Sequence, residues 1–386
     1  MENRILLILY SDSIGGAERR FARFWDYISA KNKYSNVYLL INRNLLEKLN
    51  QAELIKKNKN LFVLPSFFSN YFVNYSKNLS KLNKISFFIS KLDILISSLL
   101  TSFYLFKLKP KTVHLILAGV YVFFPFIYLF PGKTIISYPT INLSALTGDK
   151  LGSIIYLFSL KKVNLIDILS PSSMDELLNY GIKKNKMKIS PGSFTDPEIF
   201  KPISPKQKIV TYASRLVDYH HPFVFLEAVK EIIKKRKDIK FYILGNGPLK
   251  HDVINFIHDQ DLSNNVIYDF KYDISEILGK SSIYVTLKDD NYPSQSLLEA
   301  MACGCAVVAT SGGDTGKLVT EKNGILINLN CKELTQSIIY LIENEKILNE
   351  FSGKSRILII NKFSIDEFTN YINTLWKVNY SIEDFQ

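Results

Sequence analysis

The segment DDNYPSQSLLEAMACGCAVVAT, Asp289–Thr310, decides how the 386-residue chain is read. Two acids lead into a Tyr-Pro-Ser corner, then a short helix, then a strand of small and β-branched residues. A helix feeding straight into such a strand is one step of a β-α-β winding, whose parallel strands are covered on both faces. Glu299 lies within that helix, close to the polar turn. A helix-to-strand corner does not need a carboxylate there, so Glu299 is a candidate for holding something.

The same alternation extends in both directions. Apolar, β-rich runs fall at Ile5–Leu9, Val37–Ile41, Leu61–Leu64, Val113–Leu117, Thr134–Ser137, Ile166–Leu169 and Met187–Ile189. They resume at Ile209–Tyr212, Lys240–Leu244, Val266–Tyr268, Ile283–Thr286, Ala306–Ala309 and Gly324–Ile327. Helices fit between them, most clearly at Glu18–Ser29, Phe223–Arg236, Ser294–Ala302 and Lys332–Glu343. This is the pattern of an α/β protein with parallel sheets. The stretch PGSFTDPEIFKPISPK, Pro191–Lys206, holds four prolines and neither period, which marks a linker. Single cores stop growing near ~250–300 residues. Two Rossmann-like domains in tandem are therefore expected. Near the end, Ile365, Phe368, Ile372, Leu375 and Trp376 recur at helical spacing and need a surface to cover.

At 47% hydrophobic and 22% charged, the composition is globular rather than disordered. The three cysteines, Cys303, Cys305 and Cys331, lack metal-ligand spacing and argue for a reducing compartment. Ile5–Leu9 is too short for a signal peptide, and Asp12 follows it at once. No run reaches the ~18 apolar residues of a spanning helix, and Pro125 interrupts the nearest, Leu115–Phe130. A cytoplasmic location is expected. Residues 1–162 carry 22 Lys and Arg against 8 Asp and Glu, whereas residues 163–386 carry 26 against 28. The net charge of +12 thus belongs to the first half. Either this half is a solvated lysine-rich surface, or it meets an anionic partner: a membrane, a phosphorylated substrate or a nucleic acid. No aromatic-and-basic RNA motif accompanies the charge, so nucleic acid is the least favoured.

Within the basic half, Lys77–Lys111 has Leu82, Ile85, Ile89, Leu92, Ile96, Leu99, Phe103 and Phe106 at three- and four-residue steps, bracketed by lysines. Two readings fit: a helix lying in a bilayer interface, or a long core helix.

Glycines close several strands. Gly15 and Gly16 stand where the first strand turns into a helix, as do Gly245, Asn246 and Gly247 later and the Gly-Gly of ATSGGDTGKLV. Glycine lets backbone N–H groups approach a phosphate at a helix N-terminus, although a bare Gly-Gly pair equally fits an ordinary tight turn.

Taken together, PSQSLLEAMACGCAVVAT, IGGAER, SPSSMDELLNYGIKKNKMKISPGSFTDPEIFKP, YASRLVDYHHPFVFLEAV, ILGNGP and GGDTGKLVTEKNGILI occur in an order that resembles retaining glycosyltransferases of the GT-B fold, in particular family 4. The resemblance covers both halves and is most specific in the second. It implies two Rossmann-like domains facing across a cleft: residues 1–192, joined by a returning helix at 366–386, for the acceptor, and 193–365 for the nucleotide sugar. By the same resemblance Glu299 holds the ribose hydroxyls and Arg215 grips the diphosphate. The backbone of Ser294, Gln295 and Ser296 adds phosphate donors, with Gly15, Gly16, Gly245, Asn246 and Gly247 also on the donor. Where the family has a lysine five residues after the arginine, this chain has His220, followed by His221; His220 is the expected phosphate contact. The family's first glutamate, which touches the donor sugar, falls on Asn291, and Asp290 is its substitute. The usual histidine after the fifth strand is absent; Tyr138, Thr140 and Asn142 stand there, and His114 reads as a core residue.

The implied reaction moves a sugar from a UDP- or GDP-linked donor to a saccharide or lipid-phosphate-linked acceptor, with retention and without metal or further cofactor, in bacterial surface polysaccharide synthesis. With the basic first half, that places the enzyme in the cytoplasm against the inner membrane face. Two alternatives remain: a GT-B binding or regulatory protein weakened by Asn291 and His220, or a nucleotide-sugar epimerase of the same fold.

Overall fold

The computed structural model describes residues 3–66, 82–138, 150–169, 171–288, 294–312 and 315–377. It divides into two compact units, Met1–Gly192 with Phe368–Gln386, and Ser193–Glu367.

The first unit runs β1 (Ile5–Tyr10), α1 (Gly16–Ser29), β2 (Val37–Asn42), α2 (Arg43–Gln51), β3 (Leu61–Leu64) and α3 (Leu82–Leu108). It continues through β4 (Thr112–Leu117), α4 (Gly119–Phe123), β5 (Lys133–Tyr138), α5 (Lys150–Lys162), β6 (Leu165–Ile168), α6 (Pro171–Asn179) and β7 (Met187–Ile189). The strands pair in parallel in the order β3-β2-β1-β4-β5-β6-β7. β1 and β4 are buried along their whole length, as strands covered on both faces must be.

The second unit runs β8 (Gln207–Ala213), α7 (Pro222–Ile233), β9 (Lys240–Leu244), α8 (Lys250–Asp259), β10 (Val266–Asp269), α9 (Ser275–Lys280) and β11 (Ser281–Thr286). Then come α10 (Gln295–Ala302), β12 (Ala306–Thr310), α11 (Thr315–Leu318), β13 (Gly324–Ile327), α12 (Cys331–Glu343) and α13 (Glu345–Lys362). Its parallel order is β10-β9-β8-β11-β12-β13. Tyr212, Phe225, Phe241, Ile283, Val308 and Ile338 form the core on one side of the sheet. Every strand expected from the sequence is present, with its ends within two residues of the expected ones.

The last described helix, α14 (Ile365–Lys377), covers the first unit with the residues whose spacing announced it. Phe368 packs edge-on against Phe21 and Phe24, and Trp376 tilts over Phe24. Beneath them runs a buried polar chain. Ser137 Oγ donates to Asp167 Oδ2 at 2.6 Å, and Tyr371 OH donates to Asp167 Oδ1 at 2.7 Å. With its only proton given to Asp167, Ser137 Oγ must accept from His114 Nε2 at 2.8 Å. His114 Nδ1 is then left to accept from Trp376 Nε1–H at 3.3 Å. His114 is therefore a neutral core residue. Burial pushes its imidazole down to about 3, and the charges of Arg20 and Lys133 act in the same direction.

α3 packs Ile94, Tyr104, Leu105 and Leu108 on the core of the first unit and keeps an apolar stripe outside it. Asp93, Ser97, Ser98 and Thr101 are buried, while Leu92, Leu95, Leu99, Phe103 and Phe106 are exposed. Small polar residues thus share the inward side with these apolar ones, and a leucine-phenylalanine stripe faces out. Among the described residues no helix is long and apolar enough to cross a membrane.

In the linker, Thr195 N–H donates to Phe363 O and Thr195 O accepts from Ile365 N–H, both at 2.9 Å. The outgoing chain is thus stitched to the segment just before α14.

Candidate functional site

In an open α/β sheet, ligands bind beyond the carboxyl ends of the strands where the strand order reverses. In the second unit that point lies between β8 and β11. The loop after β8 carries Ser214, Arg215 and His220, and the segment after β11 leads into α10. Side chains tie the two together: Ser296 Oγ donates to Ala213 O at 2.8 Å, and Tyr284 OH bonds both Ala213 O and Ser296 Oγ. Ser294 caps α10 by accepting from Leu297 N–H at 3.1 Å. At the other end Arg356 Nη1 donates to Ala302 O at 2.5 Å, a cation on the negative end of the helix dipole. Gln295 Nε2 reaches Phe194 O at 2.7 Å.

Held this way, α10 presents the backbone N–H groups of Ser294, Gln295 and Ser296, none bonded to another described residue. Arg215 is exposed, and its guanidinium has no hydrogen bond or ion pair among the described residues. A cation and a row of N–H groups at one sheet edge make a site for an anion. Glu299 lies in the second turn of α10, one turn beyond Ser296 on the same helix face, and is only 2% exposed.

The β9–α8 loop brackets Arg215 from the opposite side. Ser214 N–H donates to Leu244 O, Leu216 N–H to Asn246 O and Leu249 N–H to Leu216 O. A Cβ on Gly245 would stand 1.9 Å from Ser214 O, and one on Gly247 2.3 Å from Leu216 O. These glycines are needed because two backbones touch, so in the structure their closest partner is the arginine loop itself.

His220 is buried, and its Nδ1 lies 2.8 Å from both Arg215 O and Ser214 Oγ. A carbonyl only accepts, so Nδ1 carries a proton. In the neutral ring Nε2 then has none to donate. His220 thus commits its Nδ1 proton to the Arg215 carbonyl and anchors the Arg215 backbone. His221 adopts a left-handed conformation, φ 55°, at the start of α7. Asp290, Asn291, Thr140 and Asn142 lie outside the described residues.

In the first unit Gly15 and Gly16 open α1. The Gly15 N–H donates to Glu18 Oε2 at 2.9 Å, and Glu18 Oε1 accepts from Ser11 Oγ at 2.6 Å. A carboxylate of this chain already uses that amide, whereas Gly16 borders open space. Tyr138 is buried and donates to Glu176 Oε2 at 2.8 Å. Among the described residues no group of three or more His, Cys, Asp or Glu is arranged around a metal position.

Comparison with known proteins gives the fold and a family match for the second unit. Residues 195–358, within the second unit, match the family described as Glycosyl transferases group 1. Among individual relatives, the poly(ribitol-phosphate) alpha-N-acetylglucosaminyltransferase of Staphylococcus aureus is 27% identical over 225 residues, 55% of this chain and 44% of that protein. The Escherichia coli UDP-Gal:alpha-D-GlcNAc-diphosphoundecaprenol alpha-1,3-galactosyltransferase is 28% identical over 173 residues, 44% of this chain and 45% of that protein. The chain thus spans less than half the length of these two relatives. A crystal structure of Anabaena HepE in complex with UDP is similar over 97% of this chain and 100% of its own, with TM-score 0.69 at 16% identity. The fold is GT-B, and residues 195–358 of its second unit match the glycosyl transferases group 1 model.

Proposed function

We propose that the chain is a retaining glycosyltransferase of the family 4 type, moving a sugar from a nucleotide-sugar donor to a saccharide or lipid-phosphate-linked acceptor in bacterial surface polysaccharide synthesis. The observation that carries this reading is Arg215: an exposed cation without an ion pair among the described residues, at the switch point of the sheet and beside the unbonded N–H groups of α10. UDP is favoured as the carrier because HepE was solved with UDP and the E. coli relative is named for UDP-Gal.

In this reading the donor diphosphate lies against Arg215 and the start of α10, and Glu299 accepts from the ribose hydroxyls. As the bond between the anomeric carbon and the phosphate oxygen breaks, negative charge grows on the leaving diphosphate. The guanidinium and oriented amides stabilise it, without calling on a metal. The acceptor hydroxyl attacks from the same face, its oxygen bonds to the anomeric carbon, and its proton passes to the departing phosphate. The first unit supplies the acceptor surface, and the reaction takes place in the cytoplasm at the inner membrane face.

A panel of UDP- and GDP-sugars read by thermal shift, followed by nucleotide release with and without EDTA, tests this. A selective rise in melting temperature is expected, corresponding to about 2.7 kcal/mol at a hundredfold excess over Kd. Release should continue in EDTA. The absence of any donor-dependent shift would remove the reading, and binding without release would make the chain a binding protein.

A further inference from the structure

We propose that one face of the first unit, formed by the outward stripe of α3, the turn at Tyr128–Leu129 and the outward stripe of α5, docks the protein on an anionic lipid bilayer. This deepens the placement at the membrane proposed above by naming the face that docks, which is argued from its own chemistry and shares no residue with the candidate site.

The first observation is a pair of outward apolar stripes. α3 turns Leu95, Leu99, Phe103 and Phe106 outward, Phe106 being 78% exposed, while Asp93, Ser97 and Thr101 face in. α5 also exposes large apolar residues, Leu151, Ile154 and Phe158, while Gly152, Tyr156, Ser159 and Leu160 are buried. Between them Leu129 is 82% exposed. Two helices that anchor one face in the core and still expose a stripe of large apolar side chains on the other present a surface suited to an apolar medium.

The second observation is continuity. Leu105, Phe106 and Lys109 of the α3 end line an open apolar cavity of about 460 Å³ with Phe126, Leu129 and Phe130. Lys162, at the end of α5, lies over the ring of Tyr128, 4.7 Å from its centroid. The stripes are therefore joined through the Tyr128–Leu129 turn.

The third observation, charge, chooses the occupant. Between Asp93 and Asp167 the chain holds seven lysines and one acid, Asp149. Lys107 and Lys109 lie near the rings of Phe103 and Phe106 and so border the apolar stripe. Apolar side chains rimmed by lysines match acyl chains beneath anionic headgroups. A symmetric pairing of two copies would set cation against cation. The slot beside Phe106 would take part of one acyl chain, with Lys109 at its headgroup.

The test is flotation of the full chain with phosphatidylcholine vesicles and with vesicles that also contain phosphatidylglycerol. Co-flotation is expected with the anionic vesicles and should weaken as salt is raised. Phe106→Ser with Leu129→Ser should abolish it while far-UV circular dichroism and donor-induced thermal shift stay as in the parent. Lys107→Gln with Lys109→Gln should reduce partitioning by about fivefold per lysine. Leu329→Ser, an exposed apolar position of the second unit, should float as the parent does. The proposal is overturned if the parent stays with the unfloated fraction on anionic vesicles, or if the Phe106/Leu129 variant floats equally well. It is also overturned if the parent is a dimer in light scattering that this variant turns into a monomer without any vesicle binding. Flotation does not read sugar transfer, so its failure and failure of the transferase reading are separable.

Discussion

Acidification should loosen the first unit through His114, and the size of the effect can be worked out. The buried ring is neutral, with Nε2–H donating to Ser137 and Nδ1 accepting from Trp376. A second proton would face the indole N–H donor to donor. Burial first, then Arg20 and Lys133, hold the folded value at about 3, against 6.5 for the free imidazole. Between those values the unfolded chain binds more protons, so stability falls as pH falls. Integrating this single site gives about 2 kcal/mol lost between pH 7.5 and pH 5, and about 4 kcal/mol by pH 3. Asp167 acts in the opposite direction. Burial raises its carboxyl, with Arg20, Ser137 and Tyr371 pulling against that, so the folded form takes up this proton first. Comparing the parent with His114→Gln isolates the imidazole, because Asp167 is present in both and the amide retains a donor for Ser137. Both tryptophans, Trp25 and Trp376, lie in the first unit, so urea unfolding followed by tryptophan fluorescence reads that unit. The parent's advantage over the variant should shrink by about 2 kcal/mol on going to pH 5. An advantage that stays constant over this range, or an imidazole that titrates near 6.5 in the folded protein, would refute the argument.

Further outcomes are expected at the candidate site and at α14. Arg215→Ala should lower turnover by ~10²-fold or more, since the guanidinium is asked for ~3 kcal/mol in the transition state; near-normal turnover would remove its assigned role. Gly245→Ala places a Cβ 1.9 Å from Ser214 O and must displace the arginine loop, so the donor-induced thermal shift should vanish while tryptophan-monitored unfolding at pH 7.5 stays unchanged. Deleting residues 365–386 uncovers Phe21 and Phe24 and removes the burial of Phe368, Ile372 and Leu375. At ~2 kcal/mol per side chain, the first unit should lose most of its cooperative unfolding.

Much of the fold was legible because parallel strands covered on both faces are written as unbroken apolar runs, and β1, β4 and β12 are buried at every position. The α10 corner was legible for a related reason: a Ser cap, a short helix and a small-residue strand permit little else. The orientation of α3 was not. Its apolar stripe is real, but periodicity says only that one face differs from the other, and here Asp93, Ser97, Ser98 and Thr101 pack inward. The pair Gly245 and Gly247 signalled close approach correctly, yet a sequence does not name the partner, which proves to be Ser214 and Leu216. The polar chain under α14 had no local signal beyond a histidine in an apolar strand, because His114, Ser137, Asp167, Tyr371 and Trp376 meet only through the sheet and the returning helix. The state of His220 depends on one carbonyl, Arg215 O, that motif spacing does not locate.

The return of α14 also sets an order of events during synthesis. The first unit lacks its cover over Phe21, Phe24 and the His114 chain until residues 368–377 have left the ribosome, whereas the second unit has every strand and core helix translated before then. Residues 193–367 are therefore able to complete their unit before the first unit is closed. The first unit, whose helix α3 turns leucines and phenylalanines outward, has to wait for residues 368–377, exposed meanwhile to chaperones.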